Sequence, residues 1–311
     1  MCGKRCCSKK ELLIARNGDA FRSRNNIDRA ERECFLKQER STDLKQIFVR
    51  TESKDERSEQ QKRYSPVMVH IPHSSTVIPD DEIDHFIAGE LEGELLKMTD
   101  HYCDDLFECE HDSLVFPISR LVCDVERFRD DAREPMAACG MGFAYTHGSG
   151  LQKIRELTPG HKLGIETCYY APHHNEFECM VQMRVREHGK CLIIDGHSFP
   201  GKALPYEMDD RTERPDICVG ADAYHTSKEL SDMTKEFFGE KGYKVAVNDP
   251  FSGSIVPMSY YQKNPDVQSV MIEINRDLYM DAAARKTNGY AKVKRDVGEY
   301  VYVISKWFEE K

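Results

Sequence analysis

The chain has 311 residues, enough for one large α/β domain or two small ones, and long enough to bury most of its unfolded surface without disulfide staples. With 44 Lys and Arg against 54 Asp and Glu, its formal net charge of -10 argues against an overall electrostatic affinity for nucleic acid. An anionic ligand would have to be held by locally clustered arginines. No apolar stretch approaches the roughly 20 residues of a membrane span, and the 12 cysteines show neither a signal peptide nor paired spacing, so they read as reduced thiols in a cytoplasmic protein.

Residues 1–63 are dense in Lys, Arg, Glu, Asp, Ser and Gln and carry too little to bury a core, so we expect a polar, charged, flexible N-terminal tail. Its opening, MCGKRCCSKK, sets Cys2, Cys6 and Cys7 among basic residues. That pattern permits acylation at a membrane surface, although a solvated tail is the more ordinary reading. The folded body, residues 64–311, starts with SPVMVHIPHSS, where Val67 to Ile71 predict a short strand closed by Pro72, His73 and two serines. The next apolar positions, Ile83 to Leu96, keep near-helical spacing broken at Gly89 and Gly93. A new helix is expected from Thr99, with Asp100 either its cap or a metal ligand beside His73.

In LVFPISRLVCDVERF, Ser119 to Val125 read as an internal strand that gathers Asp124, Glu126, Arg127 and Arg129 at its end. Arginine suits a carboxylate because its planar fork gives two parallel hydrogen bonds; a surface ion-pair cluster is the plainer alternative. DDAREPMAACGMGFAYTHGSG has too much glycine and too little periodicity for an element, which suggests a lid or substrate wall. Gly164 to His188 is a helical region ending at Gly189. His173 and His174 are placed in a first turn after Pro172, where the helix dipole would keep them neutral and suited to donating to a substrate.

CLIIDGHSFP holds the most pointed pattern: an unalternating apolar run, as in a strand buried on both faces, reaches Asp195, Gly196, His197 and Ser198. Ligand sites of open α/β sheets lie where such strands end. A short strand in ICVGADAY, the amphipathic helix SKELSDMTKEFFGEKG and the strand YKVAVN follow. DPFSGSIVP then offers Ser252 and Gly253 for a backbone approach to a ligand. The last strand, Val267 to Ile274, carries Glu273 inside an otherwise apolar run, and a helix with apolar positions from Val297 to Phe308 closes the chain.

This alternation predicts a mostly parallel central sheet flanked by helices, in the α/β class. It brings His73, Asp100, the Asp124 to Arg127 cluster, His197, Asn248 and Glu273 to one end of the sheet. Two histidines and one carboxylate are the donor set of a catalytic zinc with an open position. A carboxylate such as Glu273 is costly in an apolar strand unless used or paired, and it could take a proton from water and pass it to a leaving nitrogen.

VHIPHSS, TDHYCDDLF, the SR and DVER pieces, DGHS, NDPFSGSIVP and IEINRDLYM, in this order, resemble the N-formylglutamate amidohydrolases over nearly all of residues 65–281. The resemblance implies a phosphorylase/hydrolase-like fold shared with zinc carboxypeptidases and cell-wall amidases, in a single catalytic domain. It implies one divalent ion, most simply zinc, on His73, Asp100 and His197, with Glu273 as the catalytic carboxylate. Arg127 would contact a substrate carboxylate, with Arg276 or Arg129 as further candidates, and His174, Asn248, Ser252 and Gly253 would complete the substrate site. The pattern departs at Glu126, where many relatives have Asn, so Glu126 is an alternative ligand or a determinant of substrate choice. The implied reaction converts a small anionic N-acyl amino acid, N-formyl-L-glutamate, to formate and glutamate in histidine degradation. A hydrolase of another N-acyl amino acid or peptide, or a non-catalytic binder that retains the fold, would carry much of the same pattern.

Overall fold

The computed structural model describes residues 64–207 and 213–311; the expected tail and its cysteines lie outside them. Six strands, β1 (Val67–Ile71), β2 (Ser113–Val115), β3 (Cys191–Phe199), β4 (Ile217–Gly220), β5 (Val245–Val247) and β6 (Val267–Asn275), form one sheet in the order β2-β1-β3-β6-β4-β5. All pairs are parallel except β4 with β6, whose antiparallel register sets Cys218 opposite Glu273. The sheet is thus mostly parallel, as expected.

The helices are α1 (Asp80–Ile83), α2 (Leu91–Met98), α3 (Cys103–Leu106), α4 (Pro159–Ile165), α5 (Ala171–His188), α6 (Lys228–Glu240) and α7 (Tyr290–Glu310). One sheet face, with Ile194, Val270 and Ile272, is covered by α6 and α7, whose Leu230, Phe238, Val297, Val301, Ile304 and Phe308 are buried. Each such side chain contributes about 2 kcal/mol relative to exposure, which explains why the C-terminal helix keeps strict apolar spacing. The opposite face packs Met68, Ile193 and Val267 on Phe177 and Val181 of α5. A separate core gathers Leu121, Val122, Cys123, Val125, Met141, Phe143 and Tyr145 beneath the long connections.

That third core explains one departure from expectation. Ser119 to Val125 form turns, not a strand: the Ser119 carbonyl accepts from both Val122 and Cys123 N–H. The run is apolar because it fills its own core, and the strand at this edge is the three-residue β2. Asp100 caps no helix either. The short α3 begins at Cys103 after Tyr102, which is left-handed at φ 69°, and the Asp100 side chain turns to other partners. His173 and His174 do not stand at a helix start, because α4, a π-helical turn (Glu166–Tyr170) and α5 run on as one helical stretch. Pro172 lacks the N–H that an α-helix would aim at residue 168, and the wider turn before it accommodates that defect.

Candidate active site at the ends of β1, β3 and β6

The strand does not stop at Asp195. All nine residues of β3 are buried, and pairing with β6 runs unbroken from Cys191 opposite Val267 to Phe199 opposite Asn275. On its other edge β3 loses its neighbour early, since the last β1 pairing is His70 with Asp195. The chain leaving β1 is therefore free to bring His73 beside His197, with ring centroids 5.1 Å apart. Gly196 permits the approach: a Cβ there would sit 2.6 Å from Ile71 and 2.8 Å from Phe107. On β6, Glu273 is the register partner of His197.

Each histidine has one nitrogen held by a carboxylate and the other turned inward. His73 Nε2 lies 2.9 Å from Asp124 Oδ1, while its Nδ1 is buried without a hydrogen-bond partner, 3.7 Å from oxygens of both Asp100 and Glu126. His197 Nδ1 lies 3.2 Å from Asp100 Oδ2, and its Nε2 is 3.2 Å from both Glu126 Oε1 and Asp195 Oδ1. The donor atoms of His73, Glu126 and His197 all fall within 4.8 Å of one another. Carboxylates on the far nitrogens of ligating histidines are the usual means of fixing tautomer and ring orientation at a metal.

The electrostatics fit a cation. Although burial and Arg120 oppose it, Asp124 and Asp100 raise the His73 pKa, and against burial Glu126 and Asp195 raise that of His197 well above its usual value. Positive charge is thus favoured between these rings, where a divalent ion would supply the same counter-charge. Burial also opposes the charge of Asp100, yet the hydrogen bond from His197, the nearby His73 ring and the Arg276 charge hold its pKa well below the usual range.

Glu273 differs from these carboxylates. It is 8% exposed, no hydrogen bond reaches Oε2, and burial, aided by the Asp100 and Glu126 charges, raises its pKa to about 7. A carboxyl poised near neutrality can both take and return a proton.

These groups line a cavity of about 1180 Å³, which also includes Arg127, His174, Ser252, Gly253 and Arg276 from the expected substrate set. Arg127 Nε lacks a hydrogen bond and lies 3.6 Å from Asp124 Oδ2, so the guanidinium has donor capacity left for a ligand. The His174 and Tyr170 rings meet at a 39° tilt with centroids 4.2 Å apart, and burial, followed by the His70 charge, lowers the His174 pKa to about 4. It is neutral, as expected, but through desolvation and not a helix dipole. Arg276 is already engaged by Ser198 Oγ at 3.0 Å, the Lys97 carbonyl at 2.5 Å and Asp100 Oδ1 at 2.8 Å. Asn248 does not line the cavity: its amide bonds the Ala221 N–H and carbonyl at 2.7 and 3.0 Å, and it receives Gly253 N–H at 3.4 Å.

Sequence reasoning missed Arg120, Tyr145 and His70 in the layer behind these residues. Arg120 Nη2 is 2.9 Å from Asp124 Oδ2, which also accepts from Tyr145 OH at 2.7 Å. Asp195 Oδ1 lies 2.8 Å from His70 Nδ1, and His70 Nε2 is 3.0 Å from His173 Nε2. His70 carried a readable signal: an imidazole inside a β-branched strand requires a buried partner.

The sequence profile of the N-formylglutamate amidohydrolases matches residues 65–280, most of the chain. The chain belongs to the N-formylglutamate amidohydrolase family. Membership makes it a hydrolase of an amide bond. A crystal structure of N-formylglutamate amidohydrolase from Ralstonia eutropha superposes with a TM-score of 0.71 at 23% identity, covering 80% of this chain and 96% of that one. A gene product of Agrobacterium tumefaciens gives 0.53 at 19% identity over 77% of this chain and 92% of that one. Both likenesses concern the fold. No curated protein matches the chain.

Proposed function

We propose that this N-formylglutamate amidohydrolase relative hydrolyses N-formyl-L-glutamate to formate and L-glutamate, the reaction of histidine breakdown, with one divalent ion held by His73, His197 and Glu126. The observation that carries the proposal is the buried, unpartnered His73 Nδ1 facing Glu126 across from His197 Nε2, with the carboxyl of Glu273 alongside. Asp100, which the resemblance put in the ligand set, is better suited to orienting His197, because its oxygens meet His197 Nδ1 and Arg276.

A bound ion, zinc by its affinity for two imidazoles and a carboxylate with a position left open, supplies Lewis acidity and makes a water more acidic. Glu273 accepts a proton from the attacking water and delivers it to the departing nitrogen; burial, which raises its pKa, favours its holding the proton between the two transfers. Asp124 and Asp100 hold the two imidazoles in fixed tautomers. Arg127 pairs with a substrate carboxylate, a local answer to the chain's negative charge.

The test is release of formate from N-formyl-L-glutamate by purified protein, before and after chelation and on restoring zinc. Turnover that chelation abolishes and zinc restores is expected. Undiminished turnover after complete metal removal would refute the ion, and no turnover at stoichiometric metal would refute the substrate.

A further inference from the structure

The cavity is larger than that reaction needs. At about 1180 Å³ it exceeds the roughly 300–1,000 Å³ that usually holds a drug-sized ligand, and N-formylglutamate is smaller than such ligands. Its two flanks differ in chemistry. On the β1 side, the segment after Glu126 presents Arg127 and Arg133, with the Arg133 guanidinium 5.0 Å above the Phe128 ring. On the β4 side, the segment after β5 lines the cavity with Phe251, Ile255, Val256 and Met258, interleaved with Ser252, Gly253 and Ser254; Val256 is largely buried. This second segment rests on the sheet face that carries Glu273: Ser254 Oγ bonds Ser269 Oγ, and the Phe251 carbonyl accepts from Cys218, which pairs with Glu273. Met258 is 49% exposed although it lines the cavity, so its apolar surface is open to a ligand.

His73, His197 and Glu273 stand between the two flanks. An amide carbonyl placed there, with its amino-acid carboxylates toward the arginines, directs its acyl substituent toward the apolar segment. Resting on the assignment of the reaction above, we infer that this segment is an acyl subsite and that the enzyme accepts N-acyl dicarboxylic amino acids whose acyl group is larger than formyl and apolar. The chemistry balances as before: the amide C–N bond breaks, the water oxygen joins the acyl carbon, and a water proton goes to the amine. The second product is then an aliphatic carboxylate in place of formate.

The experiment compares kcat/KM for N-formyl-, N-acetyl- and N-butanoyl-L-glutamate in the metal-loaded enzyme and in Met258→Asp. Burying each added methylene is expected to raise kcat/KM by about fourfold, so N-butanoyl, with two more than N-acetyl, should exceed it by about fifteenfold. Met258→Asp should lower the butanoyl-to-formyl ratio by about tenfold or more, with the thermal midpoint recording that the fold is kept. Efficient hydrolysis of N-formylglutamate alone, or a ratio unmoved by Met258→Asp, would overturn the subsite and leave the reaction standing. Hydrolysis of none of the three would overturn both.

Discussion

Arg276 and Asp100 form a buried pair at 2.8 Å, on the side of the carboxylate away from His197. Arg276 therefore acts on the candidate metal centre through Asp100 and has little donor capacity left for substrate. Asp100→Ala is expected to weaken metal affinity by roughly 10–100-fold without abolishing it, and to lower the thermal midpoint, because Arg276 loses its counter-charge. Glu126→Ala should instead leave the purified protein without stoichiometric metal. Elemental analysis and metal titration of both variants check this; loss of metal only in the Asp100 variant would reverse the assignment.

Glu273→Gln keeps the shape and removes the proton acceptor, so turnover should fall by roughly 100-fold or more while metal still binds. In the metal-loaded parent kcat/KM should rise with pH as the Glu273 carboxyl gives up its proton and level off above that limb, which should be absent from the variant's residual activity. Stability gives an independent reading in the metal-free protein. The folded pKa lies above the unfolded value of about 4.3, so the native state binds the extra proton between them, and the parent should lose stability as pH rises toward 7. At pH 8 Glu273→Gln should therefore melt no lower than the parent.

Arg127→Lys retains charge and loses the two-pronged geometry. We expect a loss of tenfold or more in kcat/KM for N-formylglutamate and a much smaller one for an uncharged N-formyl amide. Equal losses would make Arg127 structural, through Asp124.

The C-terminal helix is fastened by Asp105, which accepts from Lys294 at 2.5 Å and Lys286 at 3.3 Å and bonds Tyr290 OH. Hydrogen bonds from Lys294 and Tyr290 lower its pKa to about 2. The stabilisation is present above the unfolded pKa near 4 and is lost as pH falls toward 2. Partial exposure screens it, so Asp105→Asn should cost about 0.5–1 kcal/mol at neutral pH and little at pH 2. Fluorescence of Trp307, the single tryptophan, reports directly from α7.

Deleting residues 1–60 should leave turnover within about twofold and the thermal midpoint nearly unchanged, because a segment so dense in charged and polar residues has little to bury. A large loss of either would mean that the segment docks on the body.

Residues on long paired strands were legible in the sequence. Apolar runs at Val67, Cys191 and Val267 became β1, β3 and β6, and the polar residues breaking them, His197 and Glu273, converge at the site. Ser119 to Val125 misled because continuous burial, in a strand or in a packed turn, produces the same composition. The partition between Asp100 and Glu126 was not legible, since it depends on which imidazole nitrogen each carboxylate meets, a matter of ring orientation that spacing does not encode. Asn248 looked like a ligand contact because a polar residue after a strand reads the same whether it faces a cavity or clasps a neighbouring loop.

His197 and Glu273 face each other as partners in a nine-residue parallel pairing, whereas Arg127 and Met258 sit on connections outside that pairing. Insertions or exchanges in those connections leave the spacing between imidazole and carboxyl untouched, while a one-residue slip of either strand would turn its site residue to the other face of the sheet. Mutational tolerance should therefore be sharply uneven. Changes in the connections can thus alter what the cavity admits without moving the proposed catalytic pair.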